Sequence, residues 1–216
     1  MRPSLERGDR ALVRVSAALA SREVPALRNA LNEAAVWARG DEIEEVLVQS
    51  YLFLGFPAAL NALALWRECS GRPPPRASGD DPRGWPEKGE AVCRKIYGDQ
   101  YSALRRNIAT FHPDMDRWMV AEGYGKVLGR EGLDLGVREL CIVALLSVHD
   151  VPVQLYSHVR GCLRLGWPPE VVQAALDIAD EFMSKDARRR SREVSRRVFG
   201  RITNAGGSNP IPDRNE

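Results

Sequence analysis

The sequence predicts an all-α fold, and three observations carry that expectation. Apolar residues recur at three- and four-residue steps through most of the chain, the period of one helix face. Proline, glycine and aspartate punctuate it at helical lengths, as at Gly40-Asp41, Gly55-Phe56-Pro57, Asp150-Val151-Pro152 and Pro168-Pro169-Glu170. No stretch has the pattern of a convincing strand.

Taken in order, helices are expected over 9–20, 23–38, 41–54 and 57–68. The segment CSGRPPPRASGDDPRGWPEK that follows is dense in proline, glycine and charge, and reads as a linker or long surface loop over 69–88. Helices resume over 88–97, 100–110, 113–128, 135–149, 152–165 and 169–183, with an arginine-rich one over 185–200. Gly166 suits a helix C-cap and Pro168-Pro169 a helix start. The tail from Asn204 is rich in glycine, proline and asparagine and reads as disordered. The expected organisation is an N-terminal helical half (1–68), a linker (69–88), a C-terminal half (89–185), and a basic helix with tail (186–216).

The most informative stretch is REGLDLGVRELCIVALLSVHDVPVQLYSHVRGCLRLGWPPEVVQAAL, Arg130 to Leu176. One apolar stripe runs through Leu140, Val143, Ala144 and Val148, and another through Leu155, Val159, Cys162 and Leu163. Proline at 152 ends the first helix and opens the second, and so short a corner favours antiparallel neighbours. Glu139 lies about 11 residues before the corner and His158 about 7 after it, comparable heights at about 1.5 Å per residue. A carboxylate meeting an imidazole there could transfer protons or orient a substrate. A carboxylate near a helix start also suits the helix dipole, and a histidine on an apolar face is often a satisfied core residue. Both readings stand beside the site role.

A weak internal repeat accompanies this corner. An offset of 128 residues lays Leu5, Glu6, Arg10, Leu12, Leu27 and Glu42 on Leu133, Asp134, Arg138, Leu140, Leu155 and Glu170. It suggests two copies of one helical unit. Glu139 then falls opposite Ala11 and His158 opposite Ala30, so the first copy would serve packing.

Composition narrows the function classes. The chain has 216 residues, 44% of them hydrophobic, enough for a sizeable core. The net charge of +2 gives no argument for nucleic acid, and the interleaved Glu193 favours a solvated face for the arginine-rich helix. No run reaches the roughly 20 apolar residues of a membrane span, and the charged start, MRPSLERGDR, is unlike a signal peptide. A cytoplasmic protein that binds neither membrane nor nucleic acid is expected. The four cysteines, Cys69, Cys93, Cys141 and Cys162, form no C-x-x-C, so neither a dithiol nor a zinc ribbon is suggested. No phosphate loop, metal-spaced histidine cluster or Ser/His/Asp arrangement occurs, so neither metal nor cofactor is expected.

Three segments, G-K-V-L-G-R-E-G-L-D (Gly125–Asp134), H-V-R-G-C-L-R-L-G (His158–Gly166) and Y-L-F-L-G-F-P-A-A-L (Tyr51–Leu60), resemble the carboxymuconolactone decarboxylase family, which includes the alkylhydroperoxidase D-like proteins. The resemblance covers roughly 5–65 and 88–183. It implies an alkylhydroperoxidase D-like helical fold, here as two tandem pseudo-repeats, and a homo-oligomer. In the alkylhydroperoxidase branch an acid precedes C-x-x-C and a histidine. Glu139 and His158 occupy the acid and histidine positions, while Val151 and Gln154 stand where the cysteines belong. Without that thiolate, peroxidase chemistry of that type is the least favoured reading.

In the decarboxylase branch the cysteines are absent and the histidine is present. Its W-G-x-x-W-x-R-P-G-L signature is matched here at Gly125, Arg130, Gly132 and Leu133, but not at its tryptophans or proline. Glu139 departs from the small hydroxyl residue usual there, and the Tyr-x-Gly-x-Pro signature is missing from 180–184. The resemblance implies decarboxylation of a small carboxylate or lactone without a cofactor. Glu139 and His158 would be catalytic, Arg130 would bind a substrate carboxylate by its fork, and Tyr124 would line the pocket. The alternative is a relative that has lost catalysis and serves as an oligomeric scaffold or small-ligand binder.

Overall fold

A computed structural model describes residues 4–77 and 79–205, with side chains through Arg201. The described residues are helical, without strand. The N-terminal half comprises α1 (Arg7–Ser21), α2 (Val24–Trp37), α3 (Gly40–Gln49), the single turn α4 (Tyr51–Leu54) and α5 (Phe56–Ser70). Then come α6 (Trp85–Tyr97), α7 (Tyr101–Phe111), α8 (Pro113–Trp118) and a π-helical segment, Met119–Leu128. The chain closes with α9 (Leu135–His149), α10 (Pro152–Arg164), α11 (Pro169–Ala179) and α12 (Lys185–Ala205). Among the described residues no helix is long and apolar enough to cross a membrane.

Helix α9 is the central element. Its residues from Gly136 to Ser147 are all buried, and α1, α10, α11 and α12 pack around it. An all-round buried helix has no polar stripe, so an acid on it has an interior fate whichever way it faces. Helix α1 lies against α9, with Ser16 Oγ donating to the Cys141 carbonyl at 2.8 Å.

The 128-residue offset recurs in the helix bounds. Arg7 and Ser21 correspond to Leu135 and His149, the two ends of α9, and Val24 corresponds to Pro152, the first residue of α10. Arg22 and Asp150, equivalent under the same offset, cap α1 and α9 at φ 63° and 61°. They are the two non-glycine residues with positive φ among those described. Side chains disfavour this conformation, so its occurrence at both corners marks one turn used twice.

Several elements differ from expectation. The helix expected over 41–54 breaks at Ser50, whose Oγ turns back onto the Leu47 carbonyl at 2.7 Å. Helix α6 starts at Trp85, inside the stretch read as linker, because Asp81 caps a short 3-10 turn (Pro82–Gly84) and Pro86 suits a first helical turn. The helix expected over 113–128 is α only to Trp118. Beyond it Gly129 N–H reaches the Tyr124 carbonyl at 2.7 Å, an i to i−5 bond. Glycines let this wide coil approach α6: a Cβ on Gly125 would fall 2.1 Å from the Trp85 oxygen, and one on Gly89 1.9 Å from the Val120 oxygen. Helix α11 ends at Ala179 rather than 183, followed by a 3-10 turn, Asp180–Phe182. Helix α12 runs to Ala205, and the rest of the tail, 206–216, lies outside the described residues.

Candidate acid–imidazole site

Helix α9 begins at a cap the sequence supplies: Asp134 Oδ1 accepts from the N–H groups of Gly136 (2.9 Å) and Val137 (3.1 Å). Glu139 follows one turn on, with no exposed surface. The corner at Asp150 returns the chain as α10, which presents His158. Its Nδ1 lies 2.8 Å from Glu139 Oε2, and His158 is only 5% exposed. With Glu139 ionised, Nδ1–H donates to the carboxylate, which fixes the imidazole tautomer and turns Nε2 outward from the pair. Nε2 has no hydrogen-bond partner among the described residues. Glu139 Oε1 is buried and likewise unpartnered, an acceptor held ready.

The close approach depends on Gly161, one turn beyond His158. A Cβ there would stand 2.9 Å from Glu139 Oε2 and 2.8 Å from Ile96 Cγ2. Phe53 of α4 meets the imidazole edge-on, ring centroids 5.8 Å apart, so the N-terminal half covers one side of His158.

Two buried phenols share this neighbourhood. The hydroxyls of Tyr97 and Tyr124 are 2.5 Å apart, with the rings edge to face at 5.8 Å. Burial, then the Glu139 charge, pushes the Tyr97 phenol up; burial, then Tyr97 and Glu139, does the same for Tyr124. Both therefore stay protonated. One proton joins the two oxygens and the other is free for a further acceptor.

Glu139, His158 and Tyr124 are thus drawn into one region, while Arg130 is engaged elsewhere. Its Nε lies 3.1 and 3.0 Å from the Glu45 oxygens and its Nη2 2.8 Å from Oε1. The fork expected to take a substrate carboxylate takes Glu45. Arg138, fully buried, joins the same carboxylate at 2.7 Å and donates to Gln49 as well. Sequence reasoning missed Tyr97, Phe53 and Glu45. Tyr97 belongs to the Val92–Cys93–Ile96–Tyr97 stripe of α6, a visible signal of burial but not of its partner.

The thiols add no nucleophile here. Burial raises Cys93 to about 12 and holds Cys141 and Cys162 well above their ordinary range, leaving all three as thiols. Elsewhere, His112 caps α8, its Nδ1 accepting from Asp114 N–H at 3.1 Å. No group of three metal-ligating side chains is found among the described residues.

No family model matches the chain. Among characterised proteins it is similar to Peroxisomal protein 2 of Schizosaccharomyces pombe, 31% identical over 149 residues, covering 65% of this chain and 68% of that protein. At that identity and coverage, the chain belongs to the same family as Peroxisomal protein 2.

Proposed function

We propose that the chain is a cofactor-free enzyme of the carboxymuconolactone decarboxylase type, moving protons on a small carboxylate or lactone. The observation that carries the reading is the buried 2.8 Å contact between Glu139 Oε2 and His158 Nδ1, with Nε2 left unpartnered. Glu139 holds Nδ1–H and so orients the imidazole, leaving Nε2 as the atom that meets a substrate. In a decarboxylation the bond from carbon to carboxylate breaks, carbon dioxide leaves, and the electron pair passes into an enolate. The step requires His158 to enter as imidazolium, having taken its Nε2 proton from solvent; Nε2–H then gives that proton to carbon, and the ring returns to the Nδ1–H tautomer held by Glu139. The spare proton of the Tyr97–Tyr124 pair suits the enolate oxygen. A cytoplasmic location is part of the reading, and it agrees with four cysteines that are all free. Assembly into a homo-oligomer is part of the reading, and exposed Phe56, Leu60 and Val24 are apolar surface for it.

The test is carbon dioxide release, with solvent deuterium incorporation into product, across a panel of carboxylated lactones and β-keto acids. His158→Ala should lower turnover about 10²- to 10⁴-fold. Equal turnover in the variant would remove the reading. A second reading, a non-catalytic relative that binds a small ligand or acts as an oligomeric scaffold, is favoured by Phe53 against the imidazole and by Arg130 on Glu45. It predicts no turnover by wild type, and a ligand affinity that survives Glu139→Gln.

A further inference from the structure

The arginines of α12 divide into two groups. Those of its first half are matched to acids: Arg188 and Arg192 to Asp180, Arg189 to Asp186, and Arg190 to Asp150. Those of its second half are not. Arg197 lies over the ring of Tyr156 on α10, 5.2 Å from its centroid, and Arg201 Nη1 donates to the Tyr156 hydroxyl at 2.8 Å. Arg160, one turn along α10, approaches the same ring at 5.7 Å. None of these three has a carboxylate partner among the described residues. Arg164 adjoins Arg160, and its carboxylate partner among the described residues is the exposed Asp99, at 3.4 Å. Burial, and after it the Arg160 charge, lowers the pKa of Arg164.

Three like charges gathered on one ring repel one another, and stacking on a phenol offsets only part of that. Chains usually intersperse acids among such arginines, as the first half of α12 does. Sites that receive an anion leave such arginines unmatched, and planar forks favour phosphate oxygens. We propose that Tyr156, Arg160, Arg197 and Arg201 form a binding site for a phosphate-bearing ligand. It lies on the α10–α12 face and is separate from the proton-transfer residues. The tyrosine fixes the guanidinium groups in place beforehand, so little side-chain freedom is lost when the anion arrives.

The experiment uses the full chain, with inorganic pyrophosphate titrated against chloride of matched ionic strength. Thermal unfolding and the arginine Nε–Hε resonances are followed. Saturable binding is expected, with a higher Tm and shifted resonances, and Arg160→Gln/Arg197→Gln should weaken it at least about ten-fold. Arg160→Lys/Arg197→Lys, which keeps charge but loses the forks, should fall between. Arg189→Gln, a change to an acid-matched residue on the same helix, should leave binding unaltered. A second arm uses vesicles of phosphatidylcholine with or without phosphatidylinositol phosphate. Arginine-dependent binding to the anionic vesicles, with weak pyrophosphate binding, assigns the phosphate to a lipid headgroup. The reverse assigns it to a soluble ligand. Pyrophosphate and vesicle responses no larger than chloride's, responses equal in wild type and the double Gln variant, or binding confined to a duplex RNA control would overturn the proposal.

Discussion

Gly161 is the sharpest lever on the acid–imidazole pair. Replacing it by alanine adds one methyl group, with its Cβ 2.8 Å from Ile96 Cγ2 and 2.9 Å from Glu139 Oε2. Both are closer than a Cβ sits to any neighbour in a relaxed interior. Ile96 has no exposed surface and cannot yield outward, so the carboxylate must turn. Overpacking of this kind costs about 1–3 kcal/mol. For a chain of this size that lowers Tm by about 2–4 °C per kcal/mol. Turning the carboxylate also loosens the bond to Nδ1, so the imidazole ¹⁵N resonances should shift, marking a mixed tautomer. Repeating the substitution in a Glu139→Ala background separates the two contacts. If the carboxylate takes part of the strain, Gly161→Ala should cost less there, by about 0.5 kcal/mol or more. A variant with unchanged Tm and unchanged histidine resonances would refute the reasoning, because the glycine would then have no part in the approach.

Other outcomes follow from the same geometry. Glu45→Gln leaves Arg138 buried without its anion and should cost about 3–5 kcal/mol, read by denaturant unfolding. Burial pushes the Glu45 carboxyl up, but hydrogen bonds from Arg130 and Arg138 outweigh it and hold the pKa below the ordinary value. That stabilisation is complete above the ordinary glutamate range and is lost as pH falls through the depressed value. Wild-type Tm should therefore drop below about pH 4, and Glu45→Gln should show a shallower dependence there. Asp134→Ala removes the acceptor for two N–H groups at the start of α9. It should cost about 1 kcal/mol, with faster amide exchange at Gly136 and Val137.

The helices were legible in the sequence wherever periodicity and punctuation agreed. The span 135–149 and the start at Pro152 are as expected, because proline and an Asp cap leave few alternatives. The meeting of Glu139 and His158 was legible for a related reason: a short corner between two helices fixes which heights face each other. What the sequence concealed was partnership across distance. Arg130 and Glu45 are 85 residues apart, and nothing local to either names the other. Tyr97 could be read as buried, but not as the hydroxyl beside Tyr124. The wide coil over 119–128 escaped as well, since its cause lies in backbone contacts with α6 at Gly89 and Gly125. Helical period alone carries no trace of a neighbour.

That coil makes the position of one phenol a matter of counting. A π turn holds about one residue more than an α turn, so the direction of every side chain after it depends on the surplus being kept. Removing a single residue between Met119 and Gly123 would let the segment tighten and swing Tyr124 by roughly 100° about the axis, away from its companion. The pairing of the two tyrosines is therefore written in the length of a backbone stretch as much as in the identity of either aromatic ring.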